Sequence, residues 1–274
     1  MAKKTKAGEP GRVTLGTLRK AKREGRPFAA LTAYDASFAA LVEQAGVELI
    51  LVGDSLGMVV QGHRSTIPVS VDDVVYHTAT VVRGTSRALV MADMPFMSFP
   101  DVPTAQRNAA RMMQEGGAEL VKLEGTGDQA EIVHALSSQG VPVCAHIGLR
   151  PQAVHKAGGY KIQGRDPHGA KALMEDAKAL EEAGAELLLL ECVPANVAKS
   201  ITEQSSVPVI GIGAGVDCDG QILVLYDILG ITPGRRPTFS RDFLREAGDI
   251  PAALRAYVEA VIGGTFPGPE HTFD

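Results

Sequence analysis

Short runs rich in Val, Ile and Leu recur along this chain, each ending in Gly, Pro or an acid, with longer stretches of helical spacing between them. The runs are Phe28–Thr32, Leu49–Gly53, Ala88–Ala92, Leu120–Leu123, Val141–Ala145, Leu187–Leu190, Val207–Ile212 and Gln221–Leu225. Nearly unbroken apolar runs are what a parallel strand needs when both of its faces are buried. Between them, Phe38, Leu41, Val42 and Ala45 recur on one helical face, as do Ala172, Leu173, Ala177 and Leu180. Pro194 suits the first turn of a further helix.

A weak internal repeat points the same way. Gln44-Ala45-Gly46-Val47-Glu48-Leu49, Glu115-Gly116-Gly117-Ala118-Glu119-Leu120 and Glu182-Ala183-Gly184-Ala185-Glu186-Leu187 each stop a helix at glycine, turn, and start a strand that finishes on a carboxylate. Strands alternating with helices imply βαβ units and a parallel sheet. Eight such units in 274 residues favour a closed (β/α)8 TIM barrel, which typically runs ~250 residues, over an open sheet. We expect the barrel to occupy residues 12–274, with a helix over Leu15–Gly25 across its bottom. Residues 1–11 carry Lys3, Lys4 and Lys6 with no apolar run behind them, and read as a disordered tail, not a signal peptide.

Composition removes several classes of function. Hydrophobic residues make up 45% and charged residues 22%, enough for a large core. The net charge of -5 lacks the basic footprint of a nucleic-acid binder. No apolar stretch approaches the ~18 residues of a membrane span. Cys144, Cys192 and Cys218 are odd in number and form no CxxC pair, which fits a reducing cytoplasm.

In a parallel barrel the chemistry sits at the C-terminal ends of the strands. Here those ends carry Asp54 and Ser55, Asp93, Lys122 and Glu124, His146, Glu191, and the glycine-rich Gly211–Gly215. Asp54 and Asp93 fall on adjacent strands, and carboxylates suit a hard cation such as Mg2+. The plain alternative is that each caps the helix that follows. Lys122 and Glu124 are two apart and face the same side of their strand, as an internal ion pair or as a cation for substrate beside a metal-site acid. Glu191 ends a run of four leucines, where burial would raise its pKa and suit proton transfer; the alternative is a satisfied core acid. His146 reads equally as a hydrogen-bonded structural histidine, and Cys192 as a small buried hydrophobe. Gly211–Gly215 fits a phosphate turn or close packing equally well.

These strings carry a family match. Leu31-Thr32-Ala33-Tyr34-Asp35, Gly53-Asp54-Ser55-Leu56-Gly57-Met58, Ala92-Asp93-Met94-Pro95-Phe96-Met97, Val121-Lys122-Leu123-Glu124-Gly125 and His146-Ile147-Gly148-Leu149 resemble the 3-methyl-2-oxobutanoate (ketopantoate) hydroxymethyltransferase family. So do Gly158-Gly159-Tyr160-Lys161, Leu190-Glu191-Cys192-Val193-Pro194, Gly211-Ile212-Gly213-Ala214-Gly215 and Phe266-Pro267-Gly268-Pro269-Glu270-His271. The resemblance runs from about Leu15 to the C-terminus. It departs at Val216-Asp217, where Asn or Pro is expected first, and at Thr126, where a second Gly is common.

The resemblance implies a barrel of the phosphoenolpyruvate/pyruvate type assembled as a homodecamer. It implies transfer of a hydroxymethyl group from 5,10-methylenetetrahydrofolate to 3-methyl-2-oxobutanoate (2-oxoisovalerate). It further implies Asp54 and Asp93 as Mg2+ ligands, with one ion per subunit, and Glu124 as an outer member of that site. Ser55 and Lys122, with Asp54 and Asp93, would contact the oxoacid, and Glu191 would accept its proton. Two alternatives stay open: another oxoacid-enolate lyase or phosphomutase of the same barrel type, and a non-catalytic oligomeric barrel.

Overall fold

In the computed structural model, which describes residues 11–232 and 234–274, the apolar runs pair in parallel with their neighbours and the eighth closes on the first. The strands are β1 Phe28–Thr32, β2 Leu49–Val52, β3 Leu89–Asp93, β4 Leu120–Glu124, β5 Val143–Gly148, β6 Leu187–Glu191, β7 Val209–Ile212 and β8 Gly220–Leu223. The expected closed barrel is the observed one. The expected tail, Gly11 apart, lies outside the described residues.

Two strands start two residues later than their apolar runs. The run at Val141 begins pairing only at Val143, and the run at Val207 only at Val209. In both cases a proline, Pro142 or Pro208, comes between and has no N–H for the ladder. The Val141 N–H instead bonds Leu136 O, closing the preceding helix.

The repeat works as its glycines suggest. Gly46, Gly117 and Gly184 follow their helices with φ of 103°, 79° and 105°, a left-handed backbone that stops the helix and turns the chain into the next strand. Helix starts are set by short polar caps: Asp35, Ser70, Asp101, Asp166 and Asp249 each accept backbone N–H groups from the first turn. The helix Leu15–Arg23 crosses the N-terminal end of the barrel, with Leu18 and Ala21 buried. Its Lys22 ammonium donates to Asp219, just ahead of β8, and Arg19 pairs with Glu186, just ahead of β6.

The C-terminal helix Ile250–Ile262 covers the seam where the barrel closes. Tyr257 is fully buried, and its hydroxyl lies 2.8 Å from Ala30 O on β1 and 3.0 Å from Gln221 O on β8. Phe243 and Phe266 pack edge-on against it. Each such buried ring is worth ~1.5–3 kcal/mol of apolar burial. Among the described residues no helix is long and apolar enough to cross a membrane.

Candidate active site

Strand register decides which side chains meet. Asp93 is the register partner of Lys122, Glu124 of His146, and Gly148 of Glu191. The C-terminal ends of β3, β4, β5 and β6 therefore bring one cation, one imidazole and three carboxylates together, and Asp54 joins them from just beyond β2. Asp54, Asp93, Lys122 and Glu124 are between 1% and 5% exposed. At that burial a charged group must be paired, hydrogen-bonded or protonated.

Capping does not account for these acids. The short helix after β2, Leu56–Val59, starts at Ser55 with no side-chain cap, and the helix after β3 is capped by Asp101. Lys122 Nζ donates to Asp93 Oδ1 at 2.5 Å, while the backbone N–H of Asp54 donates to Asp93 Oδ2 at 3.1 Å. Glu124 shares the buried side of β4 with Lys122, as their spacing of two requires.

The site gathers more carboxyl groups than one lysine can balance if all of them ionise. Burial pushes the Asp93 carboxyl up to about 7, with Lys122 pulling it down and Asp54 pushing it further up. Burial likewise raises Glu124 well above the carboxylate range and Glu191 to about 8, again against Lys122. Burial alone would strip Lys122 of its proton, but Asp93, Glu124 and Asp54 together hold it on, so its pKa is raised. His146 is driven well below its usual range by burial and by Lys122, and is therefore neutral.

His146 lies between two of the carboxylates. Its Nε2 is 3.3 Å from Glu191 Oε2, and its Nδ1 is 3.6 Å from Glu124 Oε1. Neither approach closes as a hydrogen bond, which leaves both ring nitrogens and Glu124 Oε1 buried without a partner. Orphaned buried polar atoms of this kind mark a site arranged for something else to bind.

Two residues at this rim escaped the strand-end reading. Gln152 sits in the turn after β5, and its side-chain amide donates to Asp54 Oδ2 and to Met94 O, both at 3.0 Å. Its backbone N–H reaches Glu124 Oε2 at 3.1 Å, so one residue fixes acids from two strands. Tyr34, just past β1, is buried and lies 2.9 Å from the Ser55 hydroxyl. No periodicity marks a loop glutamine; the only signal for Tyr34 was its place in a family string.

The donor set fits magnesium: hard carboxylate oxygens, more carboxyl groups than cations and the unpartnered Glu124 Oε1. Among the described residues no three Asp, Glu, His or Cys side chains converge as a closed metal cage. Mg2+ is commonly held by one or two carboxylates with waters and substrate oxygens, so an open pair such as Asp54 and Asp93 suits it.

The remaining expectations fall into place locally. Cys192 is buried, and burial raises its thiol pKa far out of reactive range. Thr126, a departure from the family string, caps the turn Gly127–Gln129, its backbone N–H bonding Gln129 Oε1 at 2.8 Å. Val216, the other departure, is an exposed loop residue.

A family model described as ketopantoate hydroxymethyltransferase matches residues 12–269. The chain is 59% identical over 261 residues to the 3-methyl-2-oxobutanoate hydroxymethyltransferase of Alkalilimnicola ehrlichii, spanning 95% of this chain and 94% of that one. Among solved structures it is similar to phosphonopyruvate hydrolase in complex with oxalate and Mg++, with a TM-score of 0.61 and 16% identity over 94% of this chain and 93% of that one. It is also similar to 2,3-dimethylmalate lyase, a PEP mutase/isocitrate lyase superfamily member, with a TM-score of 0.60 and 16% identity over 81% and 84%. These structural likenesses speak to the fold alone, the closed (β/α)8 barrel.

Proposed function

The chain belongs to the ketopantoate hydroxymethyltransferase family, and from that premise we propose that it moves a hydroxymethyl group from 5,10-methylenetetrahydrofolate to 3-methyl-2-oxobutanoate. The product is ketopantoate, an intermediate of pantothenate and coenzyme A biosynthesis. The reading further takes the protein as a cytoplasmic homodecamer.

The observation that carries this reading is a half-buried glutamate with a raised pKa, set within one rim of a lysine and three further carboxylates. A C–H beside a ketone is a weak acid, and a base whose pKa is near the working pH abstracts it best. Glu191, pushed up to about 8, has that strength when deprotonated. It takes the proton from carbon 3 of the oxoacid. His146, 3.3 Å from Glu191 Oε2, limits where that carboxylate can swing. Lys122, held protonated by its acids, faces the negative charge that develops on the keto oxygen, the kind of electrostatic support that is often the largest catalytic contribution. Ser55, fixed by Tyr34, offers its hydroxyl to the substrate carboxylate. Asp54 and Asp93, with Glu124 behind them, would hold Mg2+, which when bound offsets the surplus carboxylate charge and polarises the keto group. The enolate carbon then bonds to the methylene carbon of the folate as one of that carbon's two C–N bonds breaks, the released nitrogen taking up the proton that Glu191 removed. Hydrolysis of that adduct, water supplying the hydroxyl oxygen, releases ketopantoate and tetrahydrofolate.

The test is NMR of 2-oxoisovalerate in D2O with the protein, first with and without Mg2+, then with methylenetetrahydrofolate. Mg2+-dependent loss of the C3 proton signal, followed by ketopantoate on adding folate, is expected. Exchange with no product would move the reading to an oxoacid-enolate lyase or phosphomutase. No exchange under any metal would overturn it in favour of a binding-only barrel.

A further inference from the structure

A cleft of about 950 Å³ opens from the catalytic rim and shares Glu124 and Gln152 with it. Ligand pockets of roughly 300–1,000 Å³ enclose drug-sized molecules, so this one is far larger than a small branched oxoacid fills. Its lining changes with depth. At the bottom are the buried Glu124 and Gln152. The wall above them is apolar, with half-buried Phe99 and Ile67 and exposed Phe96. Its basic residues, Arg150, His155 and Lys156, all come from the loop after β5, and the last two are exposed at the mouth. Acids Asp128 and Glu131 line the side that follows β4 and Asp101 the side that follows β3, so positive charge is confined to the one edge that follows β5.

We propose that this cleft holds the folate co-substrate, with the pteridine at Glu124 and Gln152, the aminobenzoyl ring against Phe96 and Phe99, and the glutamyl carboxylates along Arg150 and Lys156. The inference rests on the transferase reading above. A folate carries its reactive nitrogen and N–H donors at one end, a flat apolar ring in the middle and carboxylates at the other. That order matches the cleft from bottom to mouth. A pteridine at the bottom lies beside the rim that makes the enolate, as carbon–carbon bond formation requires. A basic edge at the mouth suits a tail of several glutamates better than a single one, because each carboxylate adds attraction at a partly solvated surface.

The test uses the whole protein with methylenetetrahydrofolate bearing one or three glutamates, alongside C3 proton exchange measured without folate. Phe96→Ala should raise the KM for both folates about five- to tenfold, the range for losing one well-packed aromatic contact. Lys156→Glu should raise the KM for the triglutamate more than for the monoglutamate, with the gap shrinking at high salt. The folate-free exchange rate should not move in either variant. Unchanged folate KM in both variants, with exchange intact, would place the folate elsewhere and leave the transferase reading standing. A wild-type protein that exchanges no C3 proton would overturn both.

Discussion

The two ends of the barrel treat charge in opposite ways. At the N-terminal end, acids and bases are matched one to one. Lys22 donates to Asp219 Oδ2 at 2.8 Å and to Thr202 O at 2.8 Å, and the same Asp219 oxygen accepts the Val209 N–H at 2.8 Å. Arg26 grips Glu48 with two bonds of 3.0 Å each. At the C-terminal end, Asp54, Asp93, Glu124 and Glu191 surround one lysine, and Glu124 Oε1 and both ring nitrogens of His146 have no partner. The first arrangement is complete as it stands and holds β1, β2, β7 and β8 in place. The second is incomplete, and Asp93, Glu124 and Glu191 are driven far from their ordinary proton affinities. Carboxylates crowded in this way lower stability unless a ligand or cation makes them useful, which is why imbalance marks function and balance marks structure.

The strongest way to break that contrast is Glu191→Gln. Removing a general base typically slows proton transfer by ~10²–10⁴-fold, and C3 exchange in D2O should fall by that much. With its pKa pushed up to about 8, Glu191 is already protonated and neutral in the folded protein at neutral pH, so a neutral glutamine takes little away and thermal unfolding should not shift downward. Wild-type exchange in the variant would end the assignment of Glu191 as the base. A large drop in melting temperature would show that Glu191 belongs with the balanced, structural acids.

Much of this contrast could be read from the chain, and the limits of that reading are physical. Period-two alternation puts Lys122 and Glu124 on one face, whereas the leucine run overstates the burial of Glu191: the strand is buried up to Leu190, and the Glu191 side chain itself is 15% exposed. Both are properties of a single strand. The His146 contacts depend on the stagger between β4, β5 and β6, which no single strand encodes. Gly148 shows how narrow that fit is. With φ of 93° it lets β5 end against β6, where an added Cβ would lie 2.3 Å from Glu191 O. Gln152 was out of reach for a different reason. It stands in a turn, where side-chain direction follows the local backbone and not a period, yet it ties Asp54 to Glu124.

Varying pH sharpens the comparison by titrating only one end. Glu191 in the folded protein holds its proton up to about pH 8, whereas an unfolded glutamate loses it near ~4.3. Between those values the folded state binds more protons than the unfolded one, so its stability is greatest on the acid side and falls as pH rises towards 8. The slope from one such group is at most ~1.4 kcal/mol per pH unit. The exchange rate should run the other way, rising with pH to a plateau above about 8 as the base ionises. Melting curves of metal-free protein from pH 5 to 9 would show the first trend and NMR exchange the second. In Glu191→Gln the stability slope should flatten. An unchanged slope there would mean that the titration belongs to a different carboxyl.

The balanced end supplies the converse. Lys22→Met removes the ammonium and leaves the Asp219 carboxylate with the Val209 N–H as its side-chain oxygen's remaining partner. The two side chains of the pair are 14% and 13% exposed, enough to keep most water away but not all. Breaking a fully buried pair costs about 3–5 kcal/mol, so this one should cost about 1–3 kcal/mol. The loss comes chiefly from stranding a charge, not from forgoing an attraction. The double substitution Lys22→Met with Asp219→Asn should therefore recover part of the stability, because the remaining amide still has an oxygen for Val209 but no charge to bury. Neither protein should differ from wild type in C3 exchange or folate KM, since the pair lies at the opposite end of the strands from the rim. Equal losses in the single and double variants would mean that the helix Leu15–Arg23 is held by Lys22 packing and its bond to Thr202 O, with the ion pair secondary. A fall in exchange rate with stability intact would break the division between the two ends itself, by showing that charge at the bottom of the barrel is felt at the top.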